Sequence, residues 1–193
     1  SLARYYVATG KEDDAKAALA AEASLKDAIT ASMKGTTNPA RLDQITRLER
    51  EFRAFTKIFA EIVRIKDDSA QIAQNKLTRS ATSMRYKLDD LPSNADDSEL
   101  QSIQFGAKKV ADQLQSITGA VNSFVVNGDK TVASSALARL KFADNLVKGI
   151  SSKDERITQS VKDITALLEE YREALAKLIA NAKSIDELTV EMT

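Results

Sequence analysis

The 193-residue chain contains no cysteine, no histidine and no tryptophan. These absences exclude disulfides, thiol nucleophiles, histidine-based catalytic triads and the usual zinc sites. Glycine and proline are scarce, with 6 and 2 residues, which indicates a helical chain with few loops. Because no catalytic constellation is visible, we expect a binding or structural protein rather than an enzyme, with no cofactor and no metal.

Charge of one sign is also lacking, since 28 basic side chains balance 28 acidic ones. This balance argues against nucleic acid as a partner, because such proteins need a concentrated basic surface. The apolar fraction of 43% is enough to bury a core. The sequence has no run of 18 apolar residues, so it predicts no membrane span within the chain, and no signal peptide is visible.

Both ends of the sequence read as parts of helices. Ser1 is not an initiator residue, and residues 2–7 read as the last turns of a helix already under way. At the other end, a helical stripe continues through Ile185, Leu188, Thr189 and Met192. We therefore expect the chain to be part of a longer protein.

Glycine and proline separate six segments with helical periodicity. The predicted helices cover residues 1–8, about 12–34, 39 to just before Pro92, about 96–127, about 130–149, and about 152 to the end. Asn38 is expected to cap the third helix. Asp96 with Glu99, and Ser152 with Glu155, have capping-box spacing at the starts of the fourth and sixth helices.

The predicted lengths favour one architecture. At 1.5 Å per residue the third helix is about 80 Å long and the sixth about 60 Å, so shorter helices must stack end to end along them. We therefore predict an elongated, all-α fold of six helices, two long and four short, that form two stacked four-helix bundles. One module would comprise residues 1–65 and 170–193, and the other residues 66–169.

A weak internal repeat accompanies this arrangement. Residues 6–11 (YVATGK) resemble residues 124–129 (FVVNGD), and Phe52 matches Tyr171 at nearly the same offset. Each unit reads as a helix, a glycine turn, a short helix, a turn and a long helix. This order, with its two aromatic–x–x–x–Gly turns, resembles the helical bimodular sensor domain of bacterial methyl-accepting chemotaxis proteins and sensor histidine kinases.

The resemblance implies a periplasmic domain of an inner-membrane protein, with flanking transmembrane helices that this chain does not include. Residues 1–65 and 170–193 would be membrane-proximal and residues 66–169 membrane-distal, in one continuous sensor domain. Such domains bind small organic acids between helices, or dock a ligand-loaded periplasmic binding protein, and signal by helix displacement. The resemblance also implies a homodimer. The first helix here is about 20 residues shorter than the family pattern requires.

Candidate ligand-binding residues follow from the chemistry of a carboxylate, which favours Arg or Lys with hydroxyl groups beside them. In the module of residues 66–169, the third helix has an unusually polar seam that includes Lys76. The candidates there are Arg79, Ser80, Ser83, Arg85, Lys108 and Arg139. In the other module the candidates are Arg4, Tyr6, Arg53 and Tyr171.

A plainer interpretation stays open for all of these residues. The cations fit solvated helix edges with surface ion pairs, and a core tyrosine can reach water with its hydroxyl group. The whole chain also fits a helical docking or spacer protein that recognises a partner protein without a small-molecule ligand. A spacer predicts continuous dry packing, whereas a sensor predicts a polar cavity inside one module.

Overall fold

The computed structural model describes residues 2–192, which are mostly helical and contain no strand within that range. The six helices are α1 (Leu2–Thr9), α2 (Glu12–Gly35), α3 (residues 39–90), α4 (Leu100–Asn127), α5 (Lys130–Lys148) and α6 (Glu155–Glu191). The predictions of an all-α chain and of six helices are confirmed.

The long helix α3 contains a π-helical turn. It consists of Pro39–Gln71, the turn Ile72–Leu77 and Thr78–Asp90. The backbone N–H of Thr78 donates to the carbonyl of Ala73, five residues earlier, which inserts an extra residue into the turn. Ile72 is buried in this turn, and the next buried residue of the helix is Leu77. The five-residue step from Ile72 to Leu77 is what the wide turn accommodates.

The start of α3 follows the predicted chemistry. Asn38 Oδ1 accepts hydrogen bonds from the backbone N–H groups of Ala40, at 3.0 Å, and Arg41, at 3.2 Å. These bonds satisfy donors that have no partner inside the helix. The predicted cap is therefore confirmed.

The two predicted capping boxes are wrong. After a 3₁₀ turn at Leu91–Asn94, α4 begins at Leu100, and the Glu99 carboxylate accepts from the Ser152 hydroxyl at 2.5 Å instead. Asp154, not Ser152, caps α6, since its Oδ1 accepts from the backbone N–H of Arg156 at 2.7 Å. Hydrogen bonds from Arg156 lower the pKa of Asp154 to about 2. At α6 the Asp154 carboxylate therefore takes the place of the Ser152 hydroxyl, whereas no side-chain hydrogen bond caps the described start of α4.

The chain divides into two compact units. Unit 1 comprises residues up to 68 together with those from 183 onward, and unit 2 comprises residues 69–182. The sequence placed the divisions after residues 65 and 169. The helices α3 and α6 contribute to both units, so the divisions fall inside continuous helices.

Unit 2 has an extensive core built from α3, α4, α5 and α6. The apolar residues along one face of α4 are buried from Ile103 to Phe124, and those of α5 and α6 belong to the same cluster. Two polar contacts join α3 to α6 inside this unit. Lys87 Nζ lies 2.7 Å from Asp163 Oδ2, and Asn181 Nδ2 donates to Ser69 Oγ at 3.0 Å.

Unit 1 has a smaller core, centred on Tyr6 and Phe59. The two rings meet edge to face with centroids 5.6 Å apart, and Phe55 stacks on Phe59 at 6.4 Å. Ala3, Ala15 and Ala18 complete the buried cluster. Several leucines of α2 and α3 stay largely exposed, namely Leu19, Leu25, Leu42 and Leu48.

The two aromatic–x–x–x–Gly turns have the same local geometry. Gly10 and Gly128 adopt φ values of 66° and 72°, a left-handed conformation that favours glycine. Their N–H groups donate to the carbonyls of Tyr6 and Phe124 at 2.7 and 2.8 Å. Each turn therefore ends a helix by the same device, with a buried aromatic ring four residues before the glycine.

Candidate functional site

A polar groove of about 440 Å³ lies between α3 and α6 within unit 2. Its α3 wall carries Lys76, Arg79, Ser80 and Ser83, which lie three or four residues apart and so share one face of the helix. Ser80 is only 7% exposed, so a hydroxyl group reaches the level of the core. The π-helical turn of α3 forms part of this wall.

The opposite wall comes from α6, with Glu170, Glu173 and Lys177. Together with Lys76 and Arg79 they give the groove three cations and two carboxylates. Within residues 2–192, no two of these five side chains form an ion pair with each other. They are therefore available to a ligand that reaches both walls.

Apolar side chains close the space between these walls. Ile72 and Ala174 are buried in the core of unit 2, and Leu167 packs against it. A ligand in the groove would therefore have polar groups on both sides and an apolar surface beneath it. This combination is typical of small-molecule sites, where a few polar groups fix the orientation.

Only three of the six predicted residues of this module line the groove. Arg79, Ser80 and Ser83 do so, whereas Arg85, Lys108 and Arg139 do not. Those three are exposed, and Lys108 Nζ lies 3.5 Å from Asp112 Oδ1 of the same helix. Arg85 follows Arg79 by six residues, which places it away from the groove face at 3.6 residues per turn.

Sequence reasoning missed the α6 wall. Glu170, Glu173 and Lys177 repeat at three- and four-residue spacing, which was the available signal for a shared face. The same spacing occurs on most exposed helix faces, so it does not distinguish residues of a groove from residues of a solvated helix surface. The wide turn of α3 also has a signal in the sequence. The apolar residues Ile72 and Leu77 are five positions apart, whereas the apolar face of a regular α-helix recurs every three or four positions.

The candidates assigned to the other module differ in exposure and in their partners. Arg4 is exposed, and exposed Arg53 donates to Glu49 Oε1 from Nε at 3.1 Å and from Nη2 at 2.5 Å. Tyr6 is 3% exposed, and burial together with the charge of Asp67 raises its pKa. Its ring therefore contributes to packing.

Tyr171 belongs to the other unit, which corrects its grouping with Arg4, Tyr6 and Arg53. It lies in the core of unit 2 and is 2% exposed. Burial raises its pKa to about 12, so its hydroxyl group stays protonated at neutral pH. The plainer interpretation of a core tyrosine describes this side chain.

Lys66 is a further ionisable group near the core of unit 1. Its Nζ lies 5.6 Å from the centroid of the Tyr6 ring, and burial lowers its pKa. A Cβ atom at Gly10 would lie 3.5 Å from the same Nζ. The amine therefore covers the first glycine turn and the face of the buried ring.

Two further properties bear on what the described residues can do. Among residues 2–192, no group of three or more acidic side chains is arranged to hold a metal ion. None of the helices described here is both long enough and apolar enough to cross a membrane.

Comparison with known proteins leaves the family open. No protein-family model matches the chain, and no curated protein gives a significant match. The resemblance to the helical bimodular sensor domain therefore stays a prediction from the sequence.

Proposed function

We propose that this chain is the extracytoplasmic sensor domain of a transmembrane chemoreceptor, similar to the helical bimodular family. In this proposal it binds a small organic acid between helices and signals by helix displacement. The proposal includes the two stacked four-helix bundles, the homodimer and the periplasmic location predicted from the sequence. A periplasmic binding protein is the other ligand that the resemblance implies.

The observation that carries the proposal is the polar groove of unit 2. Arg79 offers a planar guanidinium group that matches a carboxylate with two hydrogen bonds, and Lys76 adds a second positive charge. Ser80 and Ser83 supply hydroxyl groups beside them. A spacer protein has no need to place a serine at core depth next to two cations.

Signalling requires a ligand that contacts the two walls differently in two states. The groove lies between α3 and α6, so one ligand touches both long helices. The π-helical turn supports a bistable α3, because such turns hold an extra residue and often occur at functional sites. A shift of that turn would move Lys76 relative to α6.

A thermal-shift screen with small carboxylates, amino acids, amines and sugars tests this function. A ligand at 100 times its dissociation constant adds about 2.7 kcal/mol to the free energy of unfolding. For a chain of this size, that raises the melting temperature by roughly 5–10 °C. We expect the shift from a di- or tricarboxylate.

Matched variants locate the effect. Arg79→Ala should abolish the shift, because it removes the guanidinium group that pairs with the carboxylate, whereas Arg85→Ala on the same helix should keep it. If the two variants respond alike, the ligand binds elsewhere. If no compound shifts the folded protein, a sensor for small acids is excluded under these conditions.

The alternative function is that of a helical docking or spacer protein. The exposed leucines of unit 1 favour it, because apolar helix faces of this kind commonly receive other helices. This alternative predicts no response to any small carboxylate. It also predicts that replacing Leu25 and Leu48 by serine would abolish partner binding and leave the melting temperature nearly unchanged.

A further inference from the structure

A second groove, which we call the apolar groove, lies within unit 1 and has a volume of about 650 Å³. It is formed by α1, α2, α3 and the last residues of the chain that are described. Its walls are mainly apolar and include Leu25, Leu48, Phe52 and Phe55. The volume falls within the range of small-molecule sites.

The charged side chains of this groove all have one sign. They are Glu22 from α2, Glu51 from α3 and Glu191 from α6, and the lining from residues 2–192 includes no lysine or arginine. Three carboxylates around an apolar space create a negative potential that favours a cation. The groove therefore differs from the polar groove of unit 2, which carries both signs.

Glu22 is the residue that lacks a partner. Its Oε1 is buried and has no hydrogen-bond partner within residues 2–192. Burial raises the pKa of this carboxyl, because the surrounding side chains replace water without replacing its hydrogen bonds. A donor from outside the described chain would satisfy this oxygen.

The charges of the adjoining groove indicate where in the apolar groove a positive group would lie. An adjoining groove shares Glu22 and Phe52 and is also lined by Lys26 and by Arg53, which is paired with Glu49 of the same lining. Lys26 repels a cation on that side. A positive group is therefore favoured on the side of Glu51, where the rings of Phe52 and Phe55 are also available for cation–π contact.

We propose that the apolar groove binds an organic monoamine, with its ammonium group at Glu22 and its apolar body between α2 and α3. The ammonium group donates to the buried oxygen of Glu22, and the hydrocarbon body covers Leu25, Leu48 and Phe52. This is a separate ligand class from the organic acid of the proposed function, and it lies in the other unit.

Calorimetric titration of the full chain with matched six-carbon probes tests the charge requirement. Hexylamine should bind, and hexanol should bind at least about tenfold more weakly, because it lacks the charge-assisted hydrogen bond. Hexanoate should not bind. From butylamine to octylamine, affinity should rise about fourfold for each CH₂ group that becomes buried. Equal affinities for hexylamine and hexanol would overturn the proposal.

Variants of single acidic residues locate the ammonium group. Glu22→Gln keeps the shape and an acceptor oxygen but removes the charge, and should weaken hexylamine binding about tenfold. Asp27→Asn, on the same helix but outside the groove, should change it less than twofold. Equal losses in the two variants would overturn the assignment to Glu22. Melting temperatures check that both variants are folded.

Two controls test whether the amine site is independent of the organic acid site and whether a second copy of the chain occupies the groove. Arg79→Ala, which tests the organic acid site, should leave hexylamine binding unchanged, so either proposal can fail alone. Sedimentation at several concentrations reports whether a second copy occupies the groove. A dimer that excludes hexylamine, or the absence of any amine binding, would overturn the proposal.

Discussion

Units 1 and 2 are built from helices with similar apolar stripes but bury them to different extents. In unit 2, 25 buried residues form one continuous cluster, whereas the corresponding cluster of unit 1 has five among the residues described. Along the α2 and α3 segments of unit 1, leucines such as Leu25 and Leu48 remain almost half exposed. A helical stripe thus predicts which face is apolar, and how much of the neighbouring helices packs against it decides its burial.

The largest expected effect tests this contrast in burial. Ile164→Ala in the core of unit 2, where the side chain is fully buried, should lower the free energy of unfolding by about 2–5 kcal/mol. Leu48→Ala in unit 1, where the side chain is 48% exposed, should cost less than about 1 kcal/mol. Urea unfolding followed by circular dichroism measures both. Similar losses would show that Leu48 is covered in solution.

A smaller effect on the free energy of unfolding is expected for two glycines inside unit 2, which differ in how closely side chains pack around them. A Cβ atom at Gly119 meets nothing within 4 Å, whereas one at Gly106 comes within 2.9 Å of Ile150 Cγ1. Gly119→Ala should therefore raise the free energy of unfolding by about 0.5–1 kcal/mol through helix propensity.

Gly106→Ala should gain less or lose stability, because the Ile150 side chain must move. Both glycines lie inside α4, so each variant serves as the control for the other. A comparable gain in both would show that Ile150 shifts without cost. Urea midpoints at constant m-value are the measurement.

The helical class and the six helices could be predicted from the sequence, because apolar residues recur at helical spacing along α4, α5 and α6, whose buried faces form the core of unit 2. The sequence does not show which hydrogen-bond partner a side chain chooses when both near and distant partners exist. Glu99 has the right spacing for a capping box, yet its carboxylate accepts from Ser152, 53 residues away. Such distant partners become available only after the chain is folded, so spacing alone cannot rank them.

The candidate site could be predicted only in part, because one of its two walls depends on contacts between helices that are distant in the sequence. Arg79, Ser80 and Ser83 share a helix face that local periodicity describes, and the structure places them in one groove. Their counterparts Glu170 and Glu173 come from α6, and their alignment depends on how α3 packs against it. Tyr171 fits the aromatic position of the repeat, but its depth in the core follows from contacts across unit 2.

The smallest expected effect concerns Glu22 in the apolar groove of unit 1. Because its pKa is raised in the folded state, the folded chain retains a proton that the unfolded chain has already released. The contribution of this side chain to stability is therefore greatest below its ordinary pKa of 4.5 and declines as the pH rises through the raised value. Glutamine does not titrate, so Glu22→Gln should remove this decline.

Urea unfolding of both proteins at pH 4 and pH 7 measures the difference. As the pH rises, the free energy of unfolding of the variant should increase relative to that of the parent. The increase should be no more than about 0.5 kcal/mol, since Glu22 is only half-buried and partly screened. Glu51 and Glu191 line the same groove and are present in both proteins, so the comparison removes most of their contribution. A gap that is constant or shrinks with pH would show that water or a partner already satisfies the Glu22 oxygen, which would contradict a partnerless carboxylate in the apolar groove of unit 1.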